Sequence, residues 1–357
     1  MSIVKPFRGL RPPVHLVKQL ASRPYDVLNS EEARIEAQGN PYSLLHVTKA
    51  EIDLPVGIDE HGQEVYDKVV ENFSMFREKG WLVQDEEEKL YIYAQTMDGR
   101  TQYGIVGCTH IEDYFNNHIK KHELTRRDKE DDRMIHVRIT NANVEPVFFS
   151  YPAHPEIDRI VTGIISTQKP VYDFVADEGF GHHFWVINDK ETIAKIVEIF
   201  AREIPSIYVA DGHHRTAAAA RVGLEKKEHN PGHTGQEEYN YFMSVLFPDN
   251  QLKIIDYNRL VKDLNGHSPD DFLKSLSASF IIEKKGTDIY KPAGLHNFSM
   301  YLGGEWYSLT PVQGKFNDND PIGVLDVTIL SNLILEPVLD IKDLRTSKRI
   351  DFDGGLS

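Results

Sequence analysis

The chain has 357 residues, 40% hydrophobic and 27% charged, the make-up of a globular protein with room for two or three units around separate cores. Its formal charge of −15 argues against non-specific nucleic-acid binding, which needs a basic face. No apolar run reaches the roughly 18 residues of a membrane-spanning helix, the N-terminus lacks a signal-like apolar core, and the single cysteine, Cys108, excludes a disulfide within the chain and favours a cytoplasmic home.

Residues 1–55 read as irregular, with Pro12-Pro13 and then Pro24-Tyr25-Asp26-Val27 leading to a helix N-cap at Asn29 or Ser30. Val65, Val69, Val70, Phe73 and Phe76 give residues 62–79 a helical period, ended by Gly80. Leu90 to Gln95 and Gln102 to Thr109 read as a hairpin around Asp98-Gly99. A helix is expected over 111–133, on the pattern Ile111, Tyr114, Phe115, Ile119 and Leu124. Val144 to Tyr151 is a short strand. Val171 to Val175 and His183 to Ile187 pair around Asp177-Glu178-Gly179, and the His-bearing loop Gly179 to His183 reads as a plain hairpin turn. Lys190 to Ala201 is a helix with Ile193, Ile196, Val197 and Phe200 on one face.

Met243 to Phe247 and Lys253 to Asn258 suggest another hairpin around Pro248-Asp249-Asn250. Asp270 to Leu276 is a helix capped by Ser268 or Pro269, and Ser299 to Leu302 pairs with Trp306 to Leu309 around Gly303-Gly304. Leu325 to Leu339 is a long apolar helix interrupted near Pro337. Helices and hairpins without a βαβαβ repeat read as α+β. The expected organisation is an N-terminal α+β region over 1–140, a core over 141–262, and a C-terminal α+β region over 263–357.

The most informative stretch runs from Ser206 to Ala220. Its first half, Ile207-Tyr208-Val209, is a buried strand; its alanine run is a helix that packs close to its neighbours. Asp211-Gly212-His213-His214-Arg215 joins them. Gly212 lets the backbone approach a ligand. The free N–H groups of the new helix favour an anion there, and Arg215 adds a fork suited to phosphate or carboxylate. The histidines and Asp211 can move protons or hold a metal. An N-cap and a turn account for Asp211 and Gly212. They do not account for three further polar residues beside a buried strand, so a site is expected here.

A second polar run lies within 118–133. On a helix, His122, Thr125, Arg126, Lys129 and Arg133 would share a face, with Glu123, Arg127 and Glu130 beside it. On spacing alone, a solvated, salt-bridged helix explains this better than a site. His118 and His122 have a zinc-compatible spacing, but there is no His-Glu-x-x-His and no cysteine ligand, so a structural zinc is not expected. Glycine-rich P-loop and dinucleotide turns and a Gly-x-Ser-x-Gly elbow are absent from the sequence.

Two resemblances follow from these motifs. Across nearly the whole chain, Pro6-Phe7-Arg8-Gly9, Pro24-Tyr25-Asp26-Val27, His122-Glu123-x-Thr125 with Lys129, Glu130 and Arg133, Ala210-Asp211-Gly212-His213-His214-Arg215, Tyr257-Asn258-Arg259-Leu260 and Arg349-Ile350-Asp351-Phe352 resemble domain-of-unknown-function family ten-fifteen. Members usually continue past the last of these motifs, so a truncated C-terminal region is expected. The strand-turn-helix at Asp211-Gly212-His213-His214-Arg215 resembles the phosphate-binding turn of ParB-type nucleotide-binding domains, sulfiredoxins and ParB-like free-serine kinases. His213 stands where sulfiredoxins carry cysteine, and no helix-turn-helix of the ParB kind is visible.

The kinase resemblance implies a ParB/sulfiredoxin-like core and a small-molecule kinase. ATP or ADP with Mg2+ would be the cofactors, and a small hydroxyl compound such as free serine the acceptor. Gly212, His214, Arg215 and Thr216 would hold phosphate. Asp211 would be general base or metal contact, with Glu123 as the other candidate base and His213 as a further catalytic group. His122, Arg126 and Lys129 would bind substrate. Small molecules, not nucleic acid or membrane, are the expected partners. A nucleotide-binding regulator without transfer chemistry, and a metal-dependent hydrolase built on Asp211, His213 and His214, are the alternatives.

Overall fold

A computed structural model describes residues 2–122, 125, 127–254, 256–317, 319–320, 323–344 and 347–354. The chain divides into two compact units, Met1–Lys253 and Ile254–Ser357.

A mixed sheet organises the first unit. Its strands run in the order Ile119–Lys120, Ile207–Asp211, Val147–Tyr151, Tyr241–Pro248, Arg100–His110, Leu90–Met97, Gly181–Ile187 and Tyr172–Val175, and Val4–Lys5 pairs with Arg100–His110. Ile207–Asp211 runs parallel to Ile119–Lys120, Tyr241–Pro248 runs parallel to Val147–Tyr151, and the other pairings are antiparallel. The chain is therefore α+β.

The core beside the sheet holds Ile157 and Val161 from the helix Pro155–Thr167 and Ile193, Ile196, Ile199 and Phe200 from Lys190–Arg202. Each such side chain, fully buried, contributes roughly 2 kcal/mol. Local signals set the boundaries as the sequence implies. Asn29 caps Ser30–Ala37 in a capping box with Glu32. Gln63–Glu78 is followed by Gly80 at φ +67°. Asp98 and Gly99 take φ of 51° and 74°, the left-handed pair of a tight hairpin.

Three expected elements differ. The helix over 111–133 is two helices, Ile111–Phe115 and Arg127–Thr140, separated by the strand Ile119–Lys120. Asn117 at φ +58° turns the chain out of the first helix, and Ile119 is then fully buried beside Ile207. His118 and His122 therefore share no helical face, and His122 and Thr125 precede the helix that carries Lys129 and Arg133. Asp249–Gln251 forms a single turn, and the strand Tyr257–Val261 pairs with Ile350–Gly354 instead of folding back on Tyr241–Pro248. The apolar run from Leu325 is a short helix, Asp326–Leu330, opening into the wider turn Ser331–Leu335; Pro337, just beyond, has no N–H to continue the ladder.

The second unit has a three-stranded sheet, Phe280–Gly286, Glu305–Pro311 and Phe298–Leu302, the helix Pro269–Leu276 capped by Ser268, and the ribbon of Tyr257–Val261 with Ile350–Gly354. Phe272, Leu276, Phe280, Leu309, Ile334, Leu335 and Ile350 are in its core.

Candidate functional site

The strand Ile207–Asp211 buries Ile207 and Val209 and shifts register between Val209 and Asp211. Gly212 follows at φ +86° and ψ +37°, and the helix His213–Glu228 begins. Gly212, at the N-cap, has no side chain to cap this helix. Ala217, Ala218, Ala219 and Ala220 are all buried. A Cβ on Gly223 would lie 2.3 Å from the Tyr239 carbonyl oxygen, so small residues let the helix sink into the fold. Ala218 and Val222 pack with Met134 of the helix Arg127–Thr140. The two polar runs of the sequence are thereby brought side by side.

A cavity of about 400 Å³ opens beside the turn. His213 and Thr216 line it from the helix, Val209 from the strand, and Tyr114, Lys121, His122 and Thr125 from the segment that crosses to the sheet edge. The His122 and His213 rings meet edge to face with centroids 4.4 Å apart. Burial, and then the neighbouring His122 and His214, push the His213 imidazole down to about 4. Lys121 lies over the Tyr114 ring at 4.0 Å, donates to the Tyr114 carbonyl at 3.0 Å, and is held below the usual lysine range by burial. Thr216 donates its hydroxyl to the Gly212 carbonyl at 2.9 Å. Thr125 donates to Glu130 at 2.6 Å, and Glu130 also pairs with Arg221. No carboxylate is among the described residues lining the cavity.

The other side of the first helical turn is different. Arg215 donates from Nη1 to the Pro146 carbonyl and from Nη2 to Asp211, both at 2.8 Å. Its guanidinium passes over Gly212, where a Cβ would sit 3.3 Å from Nε. Gly212 is thus required by its positive φ and by this close approach. Burial opposes the Arg215 charge, but Glu145, Asp26 and Asp211 more than offset it and raise its pKa. Tyr25 donates its backbone N–H to Glu145 at 3.1 Å, and Arg133 stacks 3.8 Å over the Tyr25 ring. Arg133 donates from Nε to Asp132 at 2.9 Å; Asp132 also accepts from Tyr66 at 2.9 Å and contacts His61 at 3.0 Å. Burial raises the Glu145 carboxyl despite Arg215 and Arg133. His136, buried and then repelled by Arg133, is pushed down to about 3.

His122, His213 and Thr216 of the expected site residues thus line one cavity, with Gly212 as the N-cap of the helix and His214 half-buried in its first turn. Asp211 and Arg215 pair on the other side of that turn. Lys129 is exposed on the helix Arg127–Thr140 and is not among the cavity's lining residues. Glu123 and Arg126 lie outside the described residues. Sequence reasoning passed over Lys121 and Tyr114 in the cavity, and Tyr25, Asp26 and Glu145 around Arg215. Tyr25 and Asp26 were visible as a motif, but nothing local tied them to residue 215. Among the described residues, no three histidine, cysteine, aspartate or glutamate side chains gather as a metal-binding group. No described helix is long and apolar enough to cross a membrane.

A family model, Protein of unknown function (DUF1015), matches residues 4–328. The chain belongs to that family. No curated protein and no solved structure matches it. In this DUF1015 chain the match spans both the turn at Gly212 and the cavity beside it.

Proposed function

We propose that this DUF1015 protein is a small-molecule kinase, binding the phosphates of ATP or ADP at the start of the helix His213–Glu228. The observation that carries the reading is the cavity there, where Lys121, His122 and His213 converge without a carboxylate among the described lining residues, in a chain of net charge −15. An anion there balances the Lys121 charge, and the positive end of the helix His213–Glu228 favours it. A volume of about 400 Å³ is within the range of small-ligand sites. The left-handed glycine between strand and helix is what a ParB/sulfiredoxin-like turn would need.

In this reading the acceptor hydroxyl oxygen attacks the terminal phosphorus. The bond from that phosphorus to its bridging oxygen breaks, and the nucleotide leaves with the electron pair. The hydroxyl proton passes to a carboxylate, Asp211 or Glu123. Asp211 fits a magnesium-assisted reaction: its side chain is 66% exposed, and only one of its oxygens is engaged by Arg215. Mg2+ needs few protein ligands when phosphate oxygens supply the rest, and when bound it neutralises charge developing on them. Arg215 holds Asp211 and the turn in place, Thr216 and His214 flank the phosphates, and His122 with Lys121 faces the acceptor.

A nucleotide-binding regulator is the second reading, favoured by the engagement of Asp211 with Arg215, which lowers its readiness to take a proton. Phosphorus NMR of the full chain with ATP, Mg2+ and a panel of small hydroxyl compounds including serine separates the two. A new phosphomonoester signal that disappears in Asp211→Asn supports transfer. Saturable ATP binding with no product over the whole panel replaces it with the regulator.

A further inference from the structure

The sequence motifs Tyr257-Asn258-Arg259-Leu260 and Arg349-Ile350-Asp351-Phe352 have no part in the site above. They form the two strands of one antiparallel ribbon, with Arg259 opposite Phe352. The alternation of a strand puts Tyr257, Arg259 and Phe352 on one face. The two rings stack at 5.4 Å with 14° between their planes. The Arg259 guanidinium lies 5.1 Å from the Tyr257 centroid and 5.5 Å from that of Phe352.

The ribbon's two arginines are treated oppositely. Arg349 spends its charge within the fold. It donates from Nε to Asp263 at 2.9 Å, pairs through Nη2 with the same carboxylate, and donates from Nη1 to the Leu339 carbonyl at 2.8 Å. Arg259 donates only from Nη1, to the Tyr257 carbonyl, and its Nε is buried without a partner. Among the described residues no carboxylate pairs with it. Burial lowers its pKa, and among the described residues only the Tyr257 hydroxyl acts against that. A half-buried guanidinium with one hydrogen bond and no counter-charge is a costly arrangement unless something completes it. The Tyr257 ring beside it is 56% exposed.

We infer that Arg259 is an oxyanion-binding site, taking a carboxylate or phosphate group against the Tyr257–Phe352 aromatic pair. The oxyanion accepts from the guanidinium, and the rings fix the plane of the fork while contacting whatever apolar or planar group carries the anion. The site lies within the second unit and is independent of the proposed kinase reading.

The test is an NMR titration of the full chain, following the arginine Nε–H signals at constant ionic strength made up with chloride. Inorganic phosphate and acetate are the probes. The Arg259 signal is assigned by its loss in Arg259→Lys, with Arg259→Gln as the second variant should the first fail to fold. The expected result is a saturable shift of the Arg259 signal with at least one probe, while the Arg349 signal stays fixed. Saturation by phosphate alone narrows the ligand to phosphates, and saturation by acetate extends it to acidic groups of other origin. A flat response to both probes, or a linear drift shared by other arginines, overturns the inference, and so does an equal saturable shift at Arg349.

Discussion

The two sides of the turn at Gly212 use charge in opposite ways. On one side, Arg215 and Arg133 meet Asp211, Glu145, Asp26 and Asp132 in a network whose charges offset one another, although the Arg215 Nε is buried without a hydrogen-bond partner. On the other, Lys121, His122 and His213 gather around a cavity with no carboxylate among the described residues that line it. The first arrangement is what a fold does to fix a strained turn. The second is the arrangement proposed above to receive an anion. Clusters of polar side chains thus carry different meanings, and the counter-charge decides which.

The largest expected effect is on the charge-paired side. Arg215→Ala removes a guanidinium only 12% exposed and leaves Glu145 and the Pro146 carbonyl short of a partner. The expected cost is about 3 kcal/mol, reduced somewhat because Asp211 keeps its water. Denaturant unfolding measures it. His122→Ala, on the cavity side, should stay within about 0.5 kcal/mol of the parent chain. Equal costs for the two variants would erase the distinction.

Acid stability sharpens the comparison. His136 and His213 are held at about 3 and about 4, below the value near 6.5 of an unfolded histidine. As pH falls below about 6.5 the unfolded chain takes up protons that the folded chain refuses, so stability is lost from there down to the folded values. The expected loss is about 5 kcal/mol between pH 6.5 and 4 for the two together. His136→Phe should flatten the curve whether or not phosphate is present. His213→Asn should flatten it only without phosphate, because a bound anion itself raises the His213 pKa. Melting curves across this pH range, with phosphate or chloride, would show an unchanged profile in both variants if burial of these rings were inconsequential.

Gly212→Ala should cost about 1–2 kcal/mol, from forcing a side chain into the left-handed region and against the Arg215 guanidinium. A variant as stable as the parent would mean that the turn relaxes freely. Asp211→Asn should be the mildest, below about 1 kcal/mol, since the side chain is 66% exposed and keeps a hydrogen-bond acceptor for Arg215. A collapse of its melting temperature would assign Asp211 a structural role alone.

The strand, turn and helix around Gly212 were legible because their signals are local: β-branched and aromatic residues, a glycine and an alanine run. The same logic misled between residues 111 and 133. There Ile119 fits a helical period, yet its burial comes from pairing with Ile207, 88 positions further on in the sequence. The cavity was legible only as two separate polar runs. Their meeting depends on Ala218 and Val222 packing with Met134, a contact without a sequence signature. The surroundings of Arg215 were the least legible, because Tyr25, Arg133 and Glu145 converge from three distant segments. Their ordinary appearance in sequence hid which arginines were already matched.

Calorimetric titration of the full chain with ADP, ATP and adenosine, in the presence of Mg2+, tests the central claim that the cavity side is a phosphate site. The expected result is saturable binding of ADP and ATP, little or none of adenosine, and at least about a tenfold loss of ADP affinity in His213→Asn, the roughly 1.4 kcal/mol of one charge-assisted contact. Equal binding of adenosine and ATP, or no binding of either di- or triphosphate by the folded chain, would contradict it.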